Sequence, residues 1–221
     1  MDVPVAKIVR NFHKTNEIID RQTPALVRKM KPSCARGCAA CCYQLVGITF
    51  VEAIGIADYI LRERASEVPT LLEELDAASK RLHSNREEYM LQRRPCVFLA
   101  QVGPGWTGEC SIYENRPLTC RLQYVVSDPR LCAPDRPYEC TMVDTRAAHV
   151  QAARMMSSDD PLLMSYGPMA PLVAEAIRAI QENRQPSVLV LEQWVRRMGR
   201  MLEHDTEGMA RLGLKDNYVK F

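Results

Sequence analysis

The residues best equipped for chemistry in this 221-residue chain are its nine cysteines, four of which (Cys34, Cys38, Cys41 and Cys42) fall within nine consecutive positions. Cys96, Cys110, Cys120, Cys132 and Cys140 follow at wider spacing. Thiolates are soft ligands that suit zinc, Cu(I) and iron–sulfur centres, whereas Mg and Ca prefer oxygen. Thiols close in sequence also lose little loop entropy on converging. A disulfide framework fits poorly, because neighbouring cysteines in a short loop seldom meet the Cα spacing of roughly 4.4–6.8 Å that a disulfide needs. An odd number of cysteines cannot all pair within one chain. The opening residues MDVPVAKIVRNFHKTNEIID lack an apolar signal-peptide core, and no run of about 18 apolar residues suits a membrane span. These features predict a cytoplasmic protein without membrane insertion, in a compartment where clustered thiols serve as metal ligands or redox groups.

Cys34, Cys38 and Cys41 can wrap one centre, while Cys42 points away from its neighbour and either turns back or serves another metal. A hairpin turning near Gly105 places Cys96 opposite the neighbourhood of Asn115 and Cys110 opposite Gln101. Five residues of strand span roughly 17 Å, so a regular hairpin separates Cys110 from Cys96 and Cys120. Either the hairpin bends strongly or Cys110 belongs to a second centre. Two four-thiolate sites would use eight of the nine cysteines, with the pairings open. Structural zinc commonly uses two CxxC-type knuckles, and this sequence has no such simple pair of pairs, so an iron–sulfur cluster is preferred over zinc. The spacing Cys34-x3-Cys38-x2-Cys41 also fits the triplet of radical S-adenosylmethionine enzymes, although the alternating β/α series of their barrel is missing.

The segments CARGCAACC, ITFVEAIGI, RPCVFL and GECSIYENRPLTCRL, in this order, resemble a bacterial cysteine-cluster family with a CxxCxxCC-type opening, described as a zinc- or iron-chelating domain. The family is similar in its Pro-Cys-x-Phe-Leu segment and its Gly-x-Cys-x-Ile-Tyr-x-x-Arg-Pro-x-x-Cys-Arg segment. The first spacing here is three residues rather than two, and the resemblance runs over about residues 34–123. It implies Cys34, Cys38, Cys41, Cys42, Cys96, Cys110 and Cys120 as metal ligands. It also implies Arg116 and Arg121 as residues that offset thiolate charge, against an ordinary packing role for both. Cys132 and Cys140 lie outside the resemblance and stand equally as ligands or free thiols. Flagellin lysine N-methylases are similar to the same family, which keeps a methylase-like, protein-modifying enzyme as an alternative to electron transfer or regulation. A metal-organised interaction adaptor is the third reading.

The elements that must position these thiols are mainly helical with a small β-hairpin. Apolar residues at helical spacing predict a helix from Val5 to Asp20, interrupted near Pro24. The segment KPSCARGCAACC reads as an irregular loop. Thr49 and Glu52 form a capping-box signature for a helix over about Phe50 to Arg64, and Pro69 opens another running through LLEELDAASKRLHSNREEYMLQRR. A hairpin followed by a turn or short helix is expected around residues 95–126, then a Pro-rich loop from Asp128 to Pro137. Three further helical segments, TMVDTRAAHVQAARMM, PLVAEAIRAIQEN and SVLVLEQWVRRMGRMLEH, complete the chain. The expected division is a cysteine-bearing core over 1–140 with its N-terminal helix, and a helical extension over 141–221 packed on it.

Net charge is only +2, so bulk electrostatics indicates no nucleic-acid partner, and a protein partner is left open. Residues 1–36 carry eight basic against three acidic side chains, read as a solvated helix face. His13, His83, His149 and His204 are scattered, and no phosphate loop, dinucleotide fingerprint or nucleophile elbow is present. Met155, Met156, Met198 and Met201 read as adaptable core packing.

Overall fold

The computed structural model describes residues 5–84, 94–132, 140–157 and 163–194, together with the backbone of 218–220. The fold is mainly helical with small two-stranded sheets. Helix α1 (Val5–Met30) buries Ile8, Phe12, Thr15, Asn16 and Ile19, one stripe at helical spacing. It continues through Pro24 rather than stopping there. Proline removes one N–H donor, but Asp20, whose carbonyl would have accepted it, and Pro24 itself are both exposed, so solvent satisfies the freed oxygen.

Helix α2 (Phe50–Glu63) opens with the expected capping box and buries its first eight residues on all sides, the pattern of a central helix. At Gly55 the backbone meets the Phe12 ring of α1, and a Cβ there would stand 2.3 Å from Phe12 Cδ1. Helix α3 (Val68–Ser84) begins as predicted around Pro69, and the expected continuation over 85–93 lies outside the described residues.

Strand β1 (Gly47–Thr49) runs directly into α2, and β5 (Tyr166–Pro168) runs directly into helix α6 (Met169–Gln181). The two strands pair antiparallel, with Ile48 opposite Gly167. The N–H groups of Phe50 and Val51 donate to the carbonyls of Ser165 and Leu163, and that of Met169 donates to Val46, so each helix start is satisfied by the other's lead-in. α2 and α6 form the central pair, with α1 packed on α2 and α3 on α6. One apolar core therefore runs from Ile8 to Trp194, including Phe50, Ile54, Leu75, Leu172 and Ile177.

The hairpin consists of β2 (Leu99–Gly103) and β3 (Thr107–Cys110). Gly105 and Trp106, both in the left-handed region of backbone space, make its turn. A register shift between Ala100 and Gly103 bends it. After it come the short helix α4 (Leu118–Arg121), a 3-10 turn at Pro129–Cys132, strand β4 (Met142–Asp144) and helix α5 (Arg146–Met156). β4 pairs in parallel with β6 (Tyr218–Lys220). Met156 is buried, as expected of a packing methionine, whereas Met198, Met201 and His204 lie outside the described residues.

Candidate metal centre

The motif loop is pinned at both ends. Ser33 N–H donates to the Val125 carbonyl at 2.7 Å, and its hydroxyl reaches the carbonyls of Val125 and Ser127 at 3.0 and 2.7 Å. The chain then reverses at Gly37, whose positive φ suits glycine, and lies across the hairpin. Gly108 N–H donates to Gly37 O and Ala39 N–H to Trp106 O, while Cys38 bridges to Thr107. A 3-10 turn follows at Ala40–Tyr43, so the predicted irregular loop contains one regular turn. Cys96 N–H donates to Cys42 O at 2.7 Å, which fastens the turn to the segment entering the hairpin.

Folding draws the thiols into two adjoining groups, with Cys41 reaching both. The first gathers Cys41, Cys96, Cys110 and Cys120. Burial pushes the Cys96 thiol up to about 12, with Cys110 and Cys41 adding to the effect. Cys120 is driven well above its ordinary value by burial and then by Cys96, Cys41 and Cys110. Cys41 is raised by its hydrogen bond with the Cys42 side chain and by burial. Cys110 is raised by burial, against the opposing charge of Arg116.

Cys110 thus joins Cys96, through a turn before β2 rather than through a strong bend of the hairpin itself. Leu99 N–H donates back to Cys96 O at 2.9 Å, turning the chain just before β2, and Leu99 lies opposite Cys110 in the hairpin register. The regular-hairpin separation does not arise, because Cys96 precedes the strand instead of continuing it.

The second centres on Cys34, Cys132 and Cys140, with exposed Cys38 outside their packed cluster. Cys132 and Cys140 are buried in a small cluster with Ala40 and Val125, and Cys34, Trp106, Leu131 and Met142 pack against it. The Cys34 sulfur accepts the Val125 N–H at 3.2 Å. Burial raises Cys34, against that hydrogen bond, and Cys41, Cys38 and Cys140 add to the rise. Cys132 is pushed up to about 12 by burial and by Cys140, with Cys34 and Cys38 contributing.

None of the nine cysteines is in a disulfide, and among the described residues no three His, Cys, Asp or Glu side chains already stand in metal-holding geometry. The donor chemistry suits a soft metal: crowded thiols raise one another's pKa because each negative charge disfavours the next, and a cation relieves that repulsion while displacing the protons. Arg116 supplies fixed positive charge to the first neighbourhood, lowering Cys41, Cys110 and Cys120. Its guanidinium carbon stacks 3.9 Å from the centre of the Tyr113 ring, and its Nε is buried without a partner. Arg121 has a different task. It grips both Asp20 oxygens at 2.7 Å and donates to the carbonyls of Arg116 and Glu114. The two arginines that the resemblance treats alike therefore divide into one facing thiols and one holding backbone.

Glu52 was legible as a helix cap but not as a support for Cys120. Its Oε2 accepts from Thr49 N–H at 2.7 Å and the Thr49 hydroxyl at 2.8 Å, while Oε1 accepts from Leu118 N–H at 2.8 Å. The start of α4, two residues before Cys120, is thus tied to the start of α2. Thr119 adds a hydroxyl bond to Gly47 O at 2.9 Å. His13 and His149 are lowered by burial and take no part in either thiol group. A cavity of about 570 Å³ between α1 and α5 is lined by Gln22, Leu26, Leu122 and Thr145 among others, and no cysteine lines it.

The fold and its thiols thus define a mainly helical cysteine-cluster protein. The chain belongs to the CxxCxxCC family, described as a putative zinc- or iron-chelating domain, whose sequence model matches residues 33–144. The match extends past the recognised segments to take in both Cys132 and Cys140. No curated protein and no solved structure matches the chain. Among the described residues no helix is long and apolar enough to cross a membrane.

Proposed function

We propose that the protein is a cytoplasmic metal-binding protein whose cysteine ligands hold an iron–sulfur cluster, with zinc as the competing metal, and that the centre serves electron transfer or regulation. Cys34, Cys38, Cys41, Cys42, Cys96, Cys110 and Cys120 are the ligand set implied by the family pattern. Within it Cys41, Cys96, Cys110 and Cys120 form the principal centre, and Cys42 lies beside it through its hydrogen bond to Cys41. The observation that carries this reading is convergence: four thiols from four separate segments share one neighbourhood. Thiolate ligation of iron or zinc requires loss of the thiol protons, which Arg116 favours by offsetting negative charge. With all four ligands supplied by cysteine and no cysteine in the large cavity, the arrangement favours a closed centre over one with an open substrate position.

Anaerobic purification followed by metal and acid-labile sulfide analysis tests the proposal. Iron with stoichiometric sulfide is the expected result. Zinc without sulfide overturns the iron–sulfur assignment, and full metal content in a Cys96→Ser, Cys120→Ser double variant overturns the principal site.

A further inference from the structure

We propose that Arg36 and Arg116, set around the Tyr113 ring, form a docking site for carboxylate side chains on the surface of an acidic protein partner. The proposal deepens the reading above by giving the partner's chemistry, and it rests on the thiol centre only for what the docking serves. Both guanidiniums lie over one ring, the Arg36 carbon 5.0 Å and the Arg116 carbon 3.9 Å from its centre. Arg36 arrives from the motif loop, one residue before the Gly37 reversal, and Arg116 from three residues beyond the tyrosine. The negative face of the ring attracts each cation but cancels neither charge. Arg64, Arg121, Arg178 and Arg184, which are likewise partly or wholly buried, each reach a carboxylate at 2.6 or 2.7 Å. Among the described residues Arg36 and Arg116 reach none, and the buried Nε of Arg116 has no hydrogen-bond partner at all.

The surroundings favour an acidic surface. From Arg21 to Val51 the sequence holds five basic residues and no acid, although the whole chain is nearly balanced at +2. The acids that bound this stretch are already engaged: Asp20 is gripped by Arg121, and Glu52 is buried and turned to Thr49 and Leu118. The stretch runs from the end of α1 through the motif loop, so its positive charge lies beside the thiols. Arg36 is exposed and open to a macromolecular surface, while the partly buried Arg116 shares its charge with Cys41, Cys110 and Cys120. A guanidinium presents a planar fork of donors that matches a carboxylate. Thiolates beside Arg116 add negative charge of their own, so a singly charged carboxylate fits here at less electrostatic cost than a dianionic phosphate. An acid-free rim of this kind steers an acidic partner toward the thiol-bearing loop and fixes its orientation there.

The test is fluorescence anisotropy of a labelled hexaglutamate peptide on the anaerobically purified full chain, with hexaglutamine and a single-stranded DNA hexamer as comparison probes. Wild type should bind hexaglutamate and not hexaglutamine, and more weakly as salt is added. Arg36→Gln should weaken that binding about tenfold, the loss of one charge-assisted pair, with Tm unchanged because the side chain is exposed. Arg154→Gln, which removes an exposed arginine of α5, should leave the affinity unaltered. Equal losses in the two variants mark unspecific attraction and overturn the proposal, as does wild type that fails to bind hexaglutamate. Tighter, Arg36-dependent binding of the DNA hexamer overturns it in favour of a nucleic acid. Metal and sulfide are measured on the same samples. Absent or Arg36-independent peptide binding in metal-loaded protein overturns the docking site alone, and metal-free protein that still binds through Arg36 overturns the centre alone.

Discussion

Replacing Glu52 with Gln tests whether one carboxylate ties the central helix to the thiol-bearing turn. Both oxygens are occupied: Oε2 accepts the Thr49 N–H and hydroxyl, and Oε1 accepts the Leu118 N–H. An amide has only one acceptor oxygen. If that oxygen keeps the Thr49 side, the new NH2 faces the Leu118 N–H, donor against donor, in a buried site. An unsatisfied buried donor costs about 1–3 kcal/mol, and both the Leu118 N–H and the facing NH2 are then without an acceptor, so Glu52→Gln should cost roughly 2–4 kcal/mol. For a chain of this size that lowers Tm by roughly 5–15 °C. Thr49→Ala, which removes the hydroxyl cap but leaves the Leu118 bond, should cost only about 1 kcal/mol. Urea and thermal unfolding of the full chain read both values. The pH dependence has a definite sign. Burial raises the Glu52 pKa, against its hydrogen bonds to Thr49 and Leu118, so the folded state holds this proton more tightly than the unfolded chain. Stability from this group is therefore greatest below the unfolded value and declines as pH rises through the folded value. Gln does not titrate, so the deficit of Glu52→Gln should narrow as pH is raised. A Glu52→Gln variant within about 0.5 kcal/mol of wild type, or no less stable than Thr49→Ala, refutes the coupling.

Further substitutions separate support from ligation. Gly55→Ala drives a Cβ into the Phe12 ring. It should cost about 1–3 kcal/mol, with Phe12→Leu in the same chain recovering part of the loss; strict additivity in the double-mutant cycle refutes the contact. The Arg121 side chain is almost wholly buried, whereas its partner Asp20 is half exposed. Arg121→Met should therefore cost about 3 kcal/mol by unfolding. Asp20→Asn should cost less, because the rest of the arginine's bonds survive; the reverse order rules out the backbone-holding role. Arg116→Gln should leave stability nearly unchanged while weakening Co(II) affinity by about tenfold or more in chelator competition, and an unaltered affinity removes Arg116 from the centre. Stripping metal with a chelator should lower Tm and speed proteolysis within residues 33–43, where a single 3-10 turn is the only regular element and the chain is held by scattered backbone bonds to Val125, the hairpin and Cys96. Unchanged Tm and unchanged cleavage would argue against metal-dependent order in the loop.

Local signals in the sequence were enough for the mainly helical architecture, the start of α2 at Thr49, the start of α3 near Pro69 and the hairpin turn at Gly105. Each depends on residues within a few positions of one another: a capping box, a proline in a first turn, a glycine with positive φ. The Pro24 reading failed for a reason of the same kind seen from the other side. Proline costs a helix one bond, and whether that ends the helix depends on whether the freed carbonyl faces solvent, which is set by how α1 packs on α2.

Cysteine spacing and family pattern likewise determined by themselves that this is a thiol-rich metal-binding chain, since soft-ligand chemistry is a property of residue type. Which thiols meet was decided only by tertiary structure. The Leu99–Cys96 turn brings Cys110 to Cys96, the lacing of 33, 125 and 141 brings Cys34 to Cys140, and Glu52 ties the turn carrying Cys120 to a helix 66 residues earlier in the chain. The last two placements rest on hydrogen bonds between distant segments, and the first on how a local turn sets Cys96 against the hairpin; an N–H or C=O group carries no mark in the sequence of the partner it will find.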